Sequence, residues 1–167
     1  GSGLIGVWPH ANDQGAWELG FQPAADLAKA IQGKTVYVVA ADPAGDDPKL
    51  AAVLKGAKFV IVQDLFLTET ARLANVVLPA QAYTEREGSF TSGERRVQRF
   101  YPAVPPRGET HADFAITSAI AKELGFDLEG RSASLGMDRL AALVNTFADI
   151  SYRKLAETNE QWPIVGR

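Results

Sequence analysis

Three short apolar runs rich in β-branched residues recur through the first half of the chain, at Val36–Ala41, Phe59–Val62 and Val76–Leu78. Runs of this length without polar alternation are typical of strands that are covered on both faces. Helical patterns separate them, and Asp47-Pro48 and Thr68 stand where such helices would begin. Strands that alternate with helices in this way predict parallel strands joined by right-handed crossovers.

A fourth apolar run, Leu4–Trp8, precedes these three and completes a predicted β-α-β-α-β-α-β order. The first helix of that order is expected to begin near Pro23 and to end at Gly33, because proline favours the first helical turn and glycine the position after the last one. We therefore predict an α/β fold, a doubly wound, mainly parallel sheet flanked by helices, with residues 3–82 as its Rossmann-like core.

The second half of the chain changes character. Residues 83–109 lack helical periodicity, and they predict a small hairpin or extended excursion followed by a proline-rich connector. Residues 110–167 predict C-terminal helices, one opened by a capping box over Thr110–Asp113 and a last one from about Leu135 to Glu157. At 167 residues, the whole is expected to be one domain.

Composition narrows the classes of function. The chain has no cysteine and only two histidines, His10 and His111, so neither a thiolate metal site nor a histidine-rich one is expected. Its net charge of −3 disfavours nucleic-acid binding, which needs clustered Lys and Arg. No apolar run reaches the length of a membrane span and no signal-peptide pattern is present, which favours a cytoplasmic location.

Familiar catalytic motifs are not found in the sequence. The first six residues match the dinucleotide motif G-x-G-x-x-G, but no apolar run precedes them, and the motif has its meaning only after a strand. Residues 1–2 are interpreted as a cloning remnant. There is no P-loop, no G-x-S-x-G and no H-E-x-x-H, so no catalytic residue is predicted.

Three polar segments follow predicted strands, namely Pro9–Gly20, Asp42–Gly45 and Gln63–Thr70. In open parallel sheets, ligands bind beyond the carboxyl ends of the strands, where such groups can hydrogen-bond a purine edge, a ribose or a phosphate. Each segment also has a purely structural interpretation, in which its polar residues only form turns, cap helices or satisfy loop backbone.

An arginine-rich strand pattern is the other candidate for a binding site. Alternation places Arg95, Val97 and Arg99 on one face, where arginine could hold a phosphate or a carboxylate. The alternative is ion pairing with nearby glutamates. We favour it because residues 85–99 hold four Arg and three Glu, a local charge of only +1. The expected partners are Glu85, Glu87 and Glu94.

Several blocks of the sequence together resemble the molybdopterin oxidoreductase superfamily. The most specific ones, which match it in order and spacing, are Gln63–Ala71, Ala74–Pro79 and Glu87–Gln98. Asn12–Gly20 is similar to that family's N-x-Q-G loop, and Asp113–Gly125 to the helix that follows these blocks. The resemblance covers most of the chain.

The resemblance implies that the chain is a fragment of a large subunit. It corresponds to that subunit's third domain, which is α/β and helps to hold one guanine dinucleotide arm of the molybdopterin cofactor. The iron–sulfur segment and the Cys, selenocysteine or Ser that ligates molybdenum are not in it, in agreement with the absence of cysteine. The fragment is expected to be non-catalytic alone and to pack against the missing domains and against other subunits.

One kind of member that fits is the large peripheral-arm subunit of NADH–quinone oxidoreductase, respiratory complex I. This kind keeps the fold as a scaffold without the molybdenum cofactor, in a complex that transfers electrons from NADH to quinone and whose arm lies on the cytoplasmic side of the membrane. Departures from the family's usual residues favour it, and they fall at Ala41–Pro43, Ala74-Asn75 and Gln14–Gly20.

The alternative is a formate dehydrogenase or nitrate reductase that binds bis-molybdopterin guanine dinucleotide with molybdenum or tungsten. The resemblance then implies that the cofactor lies against six residues, which are Asn12, Gln14, Asp42, Asp64, Thr68 and Thr70. A second alternative is a stand-alone module that binds a guanine nucleotide at the same strand ends. Fold resemblance alone does not decide among these functions.

Overall fold

The fold is built on a parallel sheet in the first half of the chain. The computed structural model describes residues 7–128, 130–157 and 162–163. Within them, β1 (Thr35–Val39), β2 (Phe59–Asp64) and β3 (Val76–Pro79) pair in the order β1-β2-β3, and both pairs are parallel. The predicted α/β fold with a parallel sheet flanked by helices is confirmed.

Short helices, four of them with side-chain N-caps, follow or separate the strands of this sheet. After α1 (Asp13–Glu18), the helices that cover one face of the sheet are α2 (Leu27–Ile31), α3 (Pro43–Asp46), α4 (Pro48–Leu54) and α5 (Glu69–Arg72). The last four begin after residues whose side chains accept a backbone N–H of the first turn. These N-cap residues are Asp26, Asp42, Asp47 and Thr68.

Alternate strand residues pack against those helices. Val36 of β1 lies in a cluster with the buried side chains of Ile31 and Leu54. Val62 of β2 is fully buried and packs with Ala71 of α5. The period of two along the strands therefore sets one face of the sheet against the helical layer.

The predicted first strand, Leu4–Trp8, is wrong where it can be compared. Leu4–Gly6 lie outside the described residues, and Val7 and Trp8 do not belong to a strand. The following helix also begins later than Pro23, at Leu27, because the side chain of Asp26 accepts the backbone N–H of Lys29 at 3.0 Å and caps it.

The predicted hairpin is confirmed. β4 (Gly88–Thr91) and β5 (Arg96–Phe100) pair antiparallel, and the backbone of β6 (Trp162–Pro163) pairs with the other side of β5. Phe90 stacks on Phe100 with 4.8 Å between ring centroids. Buried Val97 of β5 belongs to a hydrophobic cluster with the C-terminal residues Met137, Phe147, Ile150 and Tyr152.

The C-terminal helices differ from the prediction in two ways. The predicted last helix is two helices, α7 (Ala133–Leu143) and α8 (Tyr152–Glu157), with a 3₁₀ turn over Asn145–Phe147 between them. The chain leaves the helix at extended Val144 and turns through Asp149 at φ 66°. This break lets buried Phe147 and Ile150 pack beneath the hairpin, so packing overrides helix propensity.

The capping box predicted at Thr110–Asp113 is also wrong. The helix α6 (Asp113–Glu123) begins after Ala112, which has no side-chain cap, and the Thr110 hydroxyl donates to the carbonyl of Arg107 at 2.9 Å. The Asp113 side chain instead bonds to Gln63 of β2.

Among the described residues, no helix is both long and apolar enough to cross a membrane.

A buried polar seam ties this helix to the open face of the sheet. Gln63 of β2 is fully buried. Its side-chain carbonyl accepts the Tyr37 hydroxyl, and its amide donates to Asp113 Oδ1 at 2.5 Å. The other oxygen of Asp113 pairs with Arg86 at 2.8 Å. Burial raises the pKa of Tyr37, so its hydroxyl remains a donor at neutral pH.

We predict that Gln63→Leu lowers the free energy of unfolding by about 1–3 kcal/mol, because the buried amide that bonds both the Tyr37 hydroxyl and the Asp113 carboxylate is lost. Tyr37→Phe removes only one bond of the seam and is expected to cost about 0.5–1.5 kcal/mol. Urea unfolding followed by circular dichroism measures both. Gln98→Leu, at a half-buried glutamine of β5, is the control, and an equal effect of the two glutamine changes would contradict the seam.

Candidate functional site

Four of the six predicted binding residues gather where the parallel strands end. Asp42 follows β1 as the N-cap of α3, and Asp64 is the last residue of β2. Thr68 is the N-cap of α5, and Thr70 lies in its first turn. We call these four residues the carboxyl-end rim. The rule that ligands bind at this end of a parallel sheet makes the rim the candidate site.

A compact set of hydrogen bonds holds Asp42 against α5. Its Oδ1 accepts the backbone N–H of Thr70 at 2.8 Å and the Thr70 hydroxyl at 2.7 Å. The same hydroxyl oxygen accepts the backbone N–H of Ala44 at 2.9 Å, and Thr70 is fully buried. The side chain of Thr70 thus joins the start of α3 to the start of α5.

These contacts keep Asp42 ionised. The hydroxyl and the backbone N–H of Thr70 donate to its carboxylate and hold its pKa below the ordinary value. Gly45 also donates its backbone N–H, at 3.2 Å. A Cβ at Gly45 would lie 2.1 Å from Asp42 Oδ2, so any side chain there would displace the carboxylate from its present position.

Asp64 occupies the end of β2 in a comparable way. Its Oδ1 accepts the backbone N–H of Leu65 at 2.6 Å and that of Phe66 at 3.3 Å. Thr68 is engaged too, since its hydroxyl oxygen accepts the N–H of Ala71 at 3.1 Å. Between them, three consecutive apolar residues are exposed, with Phe66 the most exposed at 73%. They are Leu65, Phe66 and Leu67.

The two carboxylates are the strongest hydrogen-bonding groups that the rim offers, and they are acceptors. In the described part of the chain, the hydrogen bonds given above for Asp42 and Asp64 all fall on Oδ1, and the backbone N–H of Glu69 is a further donor to the Asp42 carboxylate. The backbone N–H groups of Ala44, Gly45 and Thr70 are used internally. Ionised carboxylates accept ring N–H, amino and hydroxyl groups and repel phosphate. The chemistry of the rim therefore suits a base edge or a sugar.

Asn12 and Gln14, the other two predicted residues, lie in a different place. Asn12 Oδ1 accepts the backbone N–H of Thr91 in β4 at 2.8 Å. The side chain of Gln14 accepts the Trp8 indole N–H at 2.8 Å and donates to Glu18 at 2.7 Å. In the described residues, no hydrogen bond joins this pair to the rim. The resemblance assigns both residues to the cofactor, and a place beside the rim also depends on a strand at Leu4–Trp8, which Val7 and Trp8 do not form.

Close packing around Gly15 explains why a glycine follows Gln14 in this segment. A Cβ at Gly15 would lie 2.6 Å from Asn12 Oδ1 and 3.1 Å from the Thr91 hydroxyl oxygen. The absence of a side chain lets α1 rest on β4 while Asn12 reaches the hairpin backbone. The contacts of Asn12 and Gly15 therefore dock α1 on the hairpin.

The arginines of the hairpin form ion pairs with glutamates, the alternative that the local charge favours over ligand binding. Arg96 pairs with Glu94 at 3.4 Å and Arg99 with Glu87 at 3.0 Å. Arg95 pairs instead with Glu18 of α1 at 2.7 Å, a partner outside the expected window. The Arg99 guanidinium also lies over the rings of Tyr101 and Tyr152, at 4.4 and 4.7 Å from their centroids. These contacts make Arg99 a packing residue.

Sequence reasoning missed two contributors to the site. The sequence pattern assigns Gly45 only to a turn, although its position three residues after Asp42 is the spacing of a side-chain cap. The exposed triplet Leu65–Leu67 enters the sequence argument only as part of a motif, and no pattern in the sequence indicates that it is exposed.

In the described parts of the chain, no three His, Asp or Glu side chains gather as a metal site would require.

Comparison with known proteins assigns the sequence to a family. The sequence profile of the molybdopterin oxidoreductase family matches residues 4–123. The F420-dependent formate dehydrogenase 2 subunit alpha of Methanococcus maripaludis is 40% identical over 152 residues, which is 87% of this chain and 22% of that protein. A Staphylococcus aureus (strain bovine RF122) protein that carries the name formate dehydrogenase is 46% identical over 114 residues, 68% of this chain and 12% of that protein.

A solved structure supports the fold. Acetylene hydratase from Pelobacter acetylenicus superimposes with a TM-score of 0.60 over 79% of this chain and 19% of its own, at 18% sequence identity. The chain thus spans only a minor part of the proteins that it matches.

We predict that Asp42→Asn destabilises the fold in a pH-dependent way. Because the pKa of Asp42 is lowered on folding, its charge stabilises the fold above the ordinary carboxyl pKa, and this contribution is lost as the pH falls through the lowered value. The difference in unfolding free energy between wild type and Asp42→Asn should be full at neutral pH and shrink in acid. Asp46→Asn removes a charge from the same helix as a control, and an identical profile for both variants would contradict the prediction.

A pair of helix glycines tests the docking of α1. Gly136→Ala in α7 meets nothing within 4 Å and should raise the free energy of unfolding by about 0.5–1 kcal/mol, the helix-propensity gain. Gly15→Ala should lower it despite the same gain, because the new Cβ displaces the Asn12 side chain from Thr91. Thermal and urea unfolding measure both changes in the free energy of unfolding. A more stable Gly15→Ala variant would show that the contact of Asn12 with Thr91 does not contribute to stability.

Proposed function

Since the chain belongs to the molybdopterin oxidoreductase family, we propose that it is the nucleotide-arm domain of a formate dehydrogenase-like molybdenum or tungsten enzyme. The observation that carries the proposal is the carboxyl-end rim, with its two partly unsatisfied carboxylates, at the sheet end where ligands bind. The formate dehydrogenases to which the chain is similar support this over the complex I alternative.

The residues present fit the base and sugar end of such an arm. A guanine edge presents a ring N–H and an amino group, and a ribose presents hydroxyls, all of them donors that Oδ2 of Asp42 or of Asp64 would accept. The lowered pKa of Asp42 keeps that oxygen an acceptor at neutral pH. Exposed Phe66 offers an apolar surface beside Asp64. A pyrophosphate would need N–H or cationic donors from outside the rim.

The chain itself would bind and orient the cofactor, while the cofactor supplies the redox-active metal. Asp42 is held rigidly by Thr70, and Asp64 by the backbone of Leu65 and Phe66, so their acceptor oxygens are fixed before a ligand arrives. Fixed acceptors lower the ordering cost of binding. The remaining polypeptide of a protein several times longer would provide the other parts of the cofactor site.

A second candidate is a cofactor-free scaffold, as in the large peripheral-arm subunit of NADH–quinone oxidoreductase. A specific observation favours it: the motif residues are engaged in contacts that the fold itself requires. Asp42 with Thr70 joins two helices, and Asn12 fixes the hairpin. Under this proposal the motif persists because it holds the domain together, and the rim binds no nucleotide.

A titration of the chain with GMP, followed by amide-resolved NMR, separates the two candidates. The nucleotide-arm proposal predicts saturable shifts confined to Asp42–Gly45 and Gln63–Thr70. Asp64→Asn should weaken binding by about tenfold, because a charge-assisted hydrogen bond of about 1.5 kcal/mol is lost.

Two controls sharpen the titration. AMP lacks the ring N–H donor of guanine and should bind more weakly, and Asp46→Asn, an exposed residue of α3, should bind GMP as wild type does. Shifts spread over the surface, or no shifts at millimolar GMP, would contradict the nucleotide-arm proposal. The second of these outcomes is the one that the scaffold proposal predicts.

A further inference from the structure

Three lysines lie together at the amino ends of β1 and β2, the end of the sheet opposite the carboxyl-end rim. Lys34 immediately precedes β1, and Lys58 immediately precedes β2. The carbonyl of Lys34 accepts the backbone N–H of Lys58 at 2.8 Å, so the two residues stand side by side where the strands begin. Lys55 is the C-cap of α4, three residues before Lys58. We call these three residues the lysine patch.

The lysine patch is exposed and lacks a counter-ion within the described part of the chain. None of its three side chains makes an ion pair or a hydrogen bond there, whereas Arg72, Arg95 and Arg99 are each paired with a glutamate. The sequence has no Asp or Glu in Leu27–Ala41 or in Pro48–Gln63. The segments that carry the patch therefore hold positive charge alone.

This arrangement of charges does not serve the fold. Neighbouring strands lie about 4.8 Å apart, and like charges at such a distance repel each other. A lysine after a helix is explained by the partial negative charge of the helix C-terminus, which accounts for Lys55 after α4. Lys34 and Lys58 belong to no helix, so their charges have no such explanation. A group outside the fold that neutralises them would explain both.

An aromatic side chain adjoins the patch. Phe59 follows Lys58 directly and lies opposite Thr35 in the β1–β2 ladder. Its side chain is 38% exposed. Surfaces that bind other proteins commonly combine an aromatic contact with polar groups around it. Phe59 gives the patch an apolar contact in addition to its charges.

We infer that the lysine patch binds an acidic segment of a protein partner, whose carboxylates pair with the three ammonium groups. Complementary charge of this kind guides and selects partners in protein association. The inference does not depend on nucleotide binding, because the patch and the carboxyl-end rim lie at opposite ends of the sheet.

Other anionic partners fit the patch less well. Nucleic acids are bound through larger clusters of Lys and Arg on basic domains, and this chain has a net charge of −3. A lipid surface needs a second anchor besides basic residues, such as an amphipathic helix. The helices that end beside the patch, α2 and α4, have only five and seven residues.

Titration of the chain with a hexaglutamate peptide, followed by amide-resolved NMR, tests the inference. We expect saturable shifts at Gly33–Thr35 and Lys55–Phe59, and none at Asp42–Gly45. Binding should weaken as the salt concentration rises from about 0.1 M to about 1 M, because the Debye length falls from about 10 Å to about 3 Å. No saturable shifts at the lower salt concentration, or shifts at other residues alone, would overturn the inference.

Matched variants separate the patch from the general effect of charge. Lys58→Gln should weaken binding of the peptide about threefold, the effect of one exposed ion pair. The triple variant Lys34→Gln/Lys55→Gln/Lys58→Gln should abolish the shifts. Lys49→Gln removes the same charge from the other end of α4 and should bind as the wild type does. Equal weakening by Lys49→Gln and Lys58→Gln would reveal unspecific attraction and would overturn the inference.

Urea unfolding of Lys58→Gln gives a readout that is independent of binding. Removal of this lysine relieves its repulsion with Lys34, so the urea midpoint should rise at low salt, and the rise should vanish at about 1 M salt. A lower midpoint for Lys58→Gln would show that the lysine stabilises the fold, and the argument for a partner would then fail.

The same proteins test the competing occupants. If phosphatidylserine vesicles or oligothymidylate bound the patch more tightly than hexaglutamate does, the inference would be overturned in favour of a lipid surface or a nucleic acid. Sedimentation over a range of concentrations detects a second copy of the chain. A dimer that forms with the wild type but not with the triple variant would overturn the inference in favour of self-association. A monomeric chain that binds hexaglutamate at the patch supports it.

Discussion

The side chain of Gln63 connects the two halves of this molecule. It lies fully buried on the sheet face opposite the helices α2–α5, where an apolar residue would ordinarily stand. A buried amide is tolerable only when its donors and acceptors are satisfied, and here Tyr37 and Asp113 satisfy them. Asp113 is held in turn by Arg86, whose guanidinium lies 5.8 Å from the centroid of the Phe100 ring. The sheet and α6 are therefore joined by a continuous chain of polar contacts, and its last member, Arg86, lies over a ring of the hairpin.

Patterns confined to a short stretch of sequence predicted much of this fold. The strands at Thr35–Val39 and Phe59–Asp64, the cap at Asp47 and the hairpin all follow from residues that act within a few positions of one another. The errors came where distant contacts decide. α7 stops at Leu143 because Phe147 packs under β5, and no local signal distinguishes that from a longer helix. Thr110 does not cap α6, since its hydroxyl bonds to the carbonyl of Arg107, and the Asp113 side chain bonds to Gln63, fifty positions away.

The candidate site was also predictable where it depends on local sequence patterns, and not where it depends on distant contacts. Asp42, Asp64, Thr68 and Thr70 follow strands that the sequence identifies, so the strand-end rule gathers them. Asn12 was assigned to them through its motif, but its partner is Thr91, seventy-nine positions away. A motif reports which residues a family retains and not which contact retains them. In this chain Asn12, Gly15 and Thr70 each make a contact within the fold, so the carboxylates of Asp42 and Asp64, at the ends of two strands, are the stronger ground for a ligand.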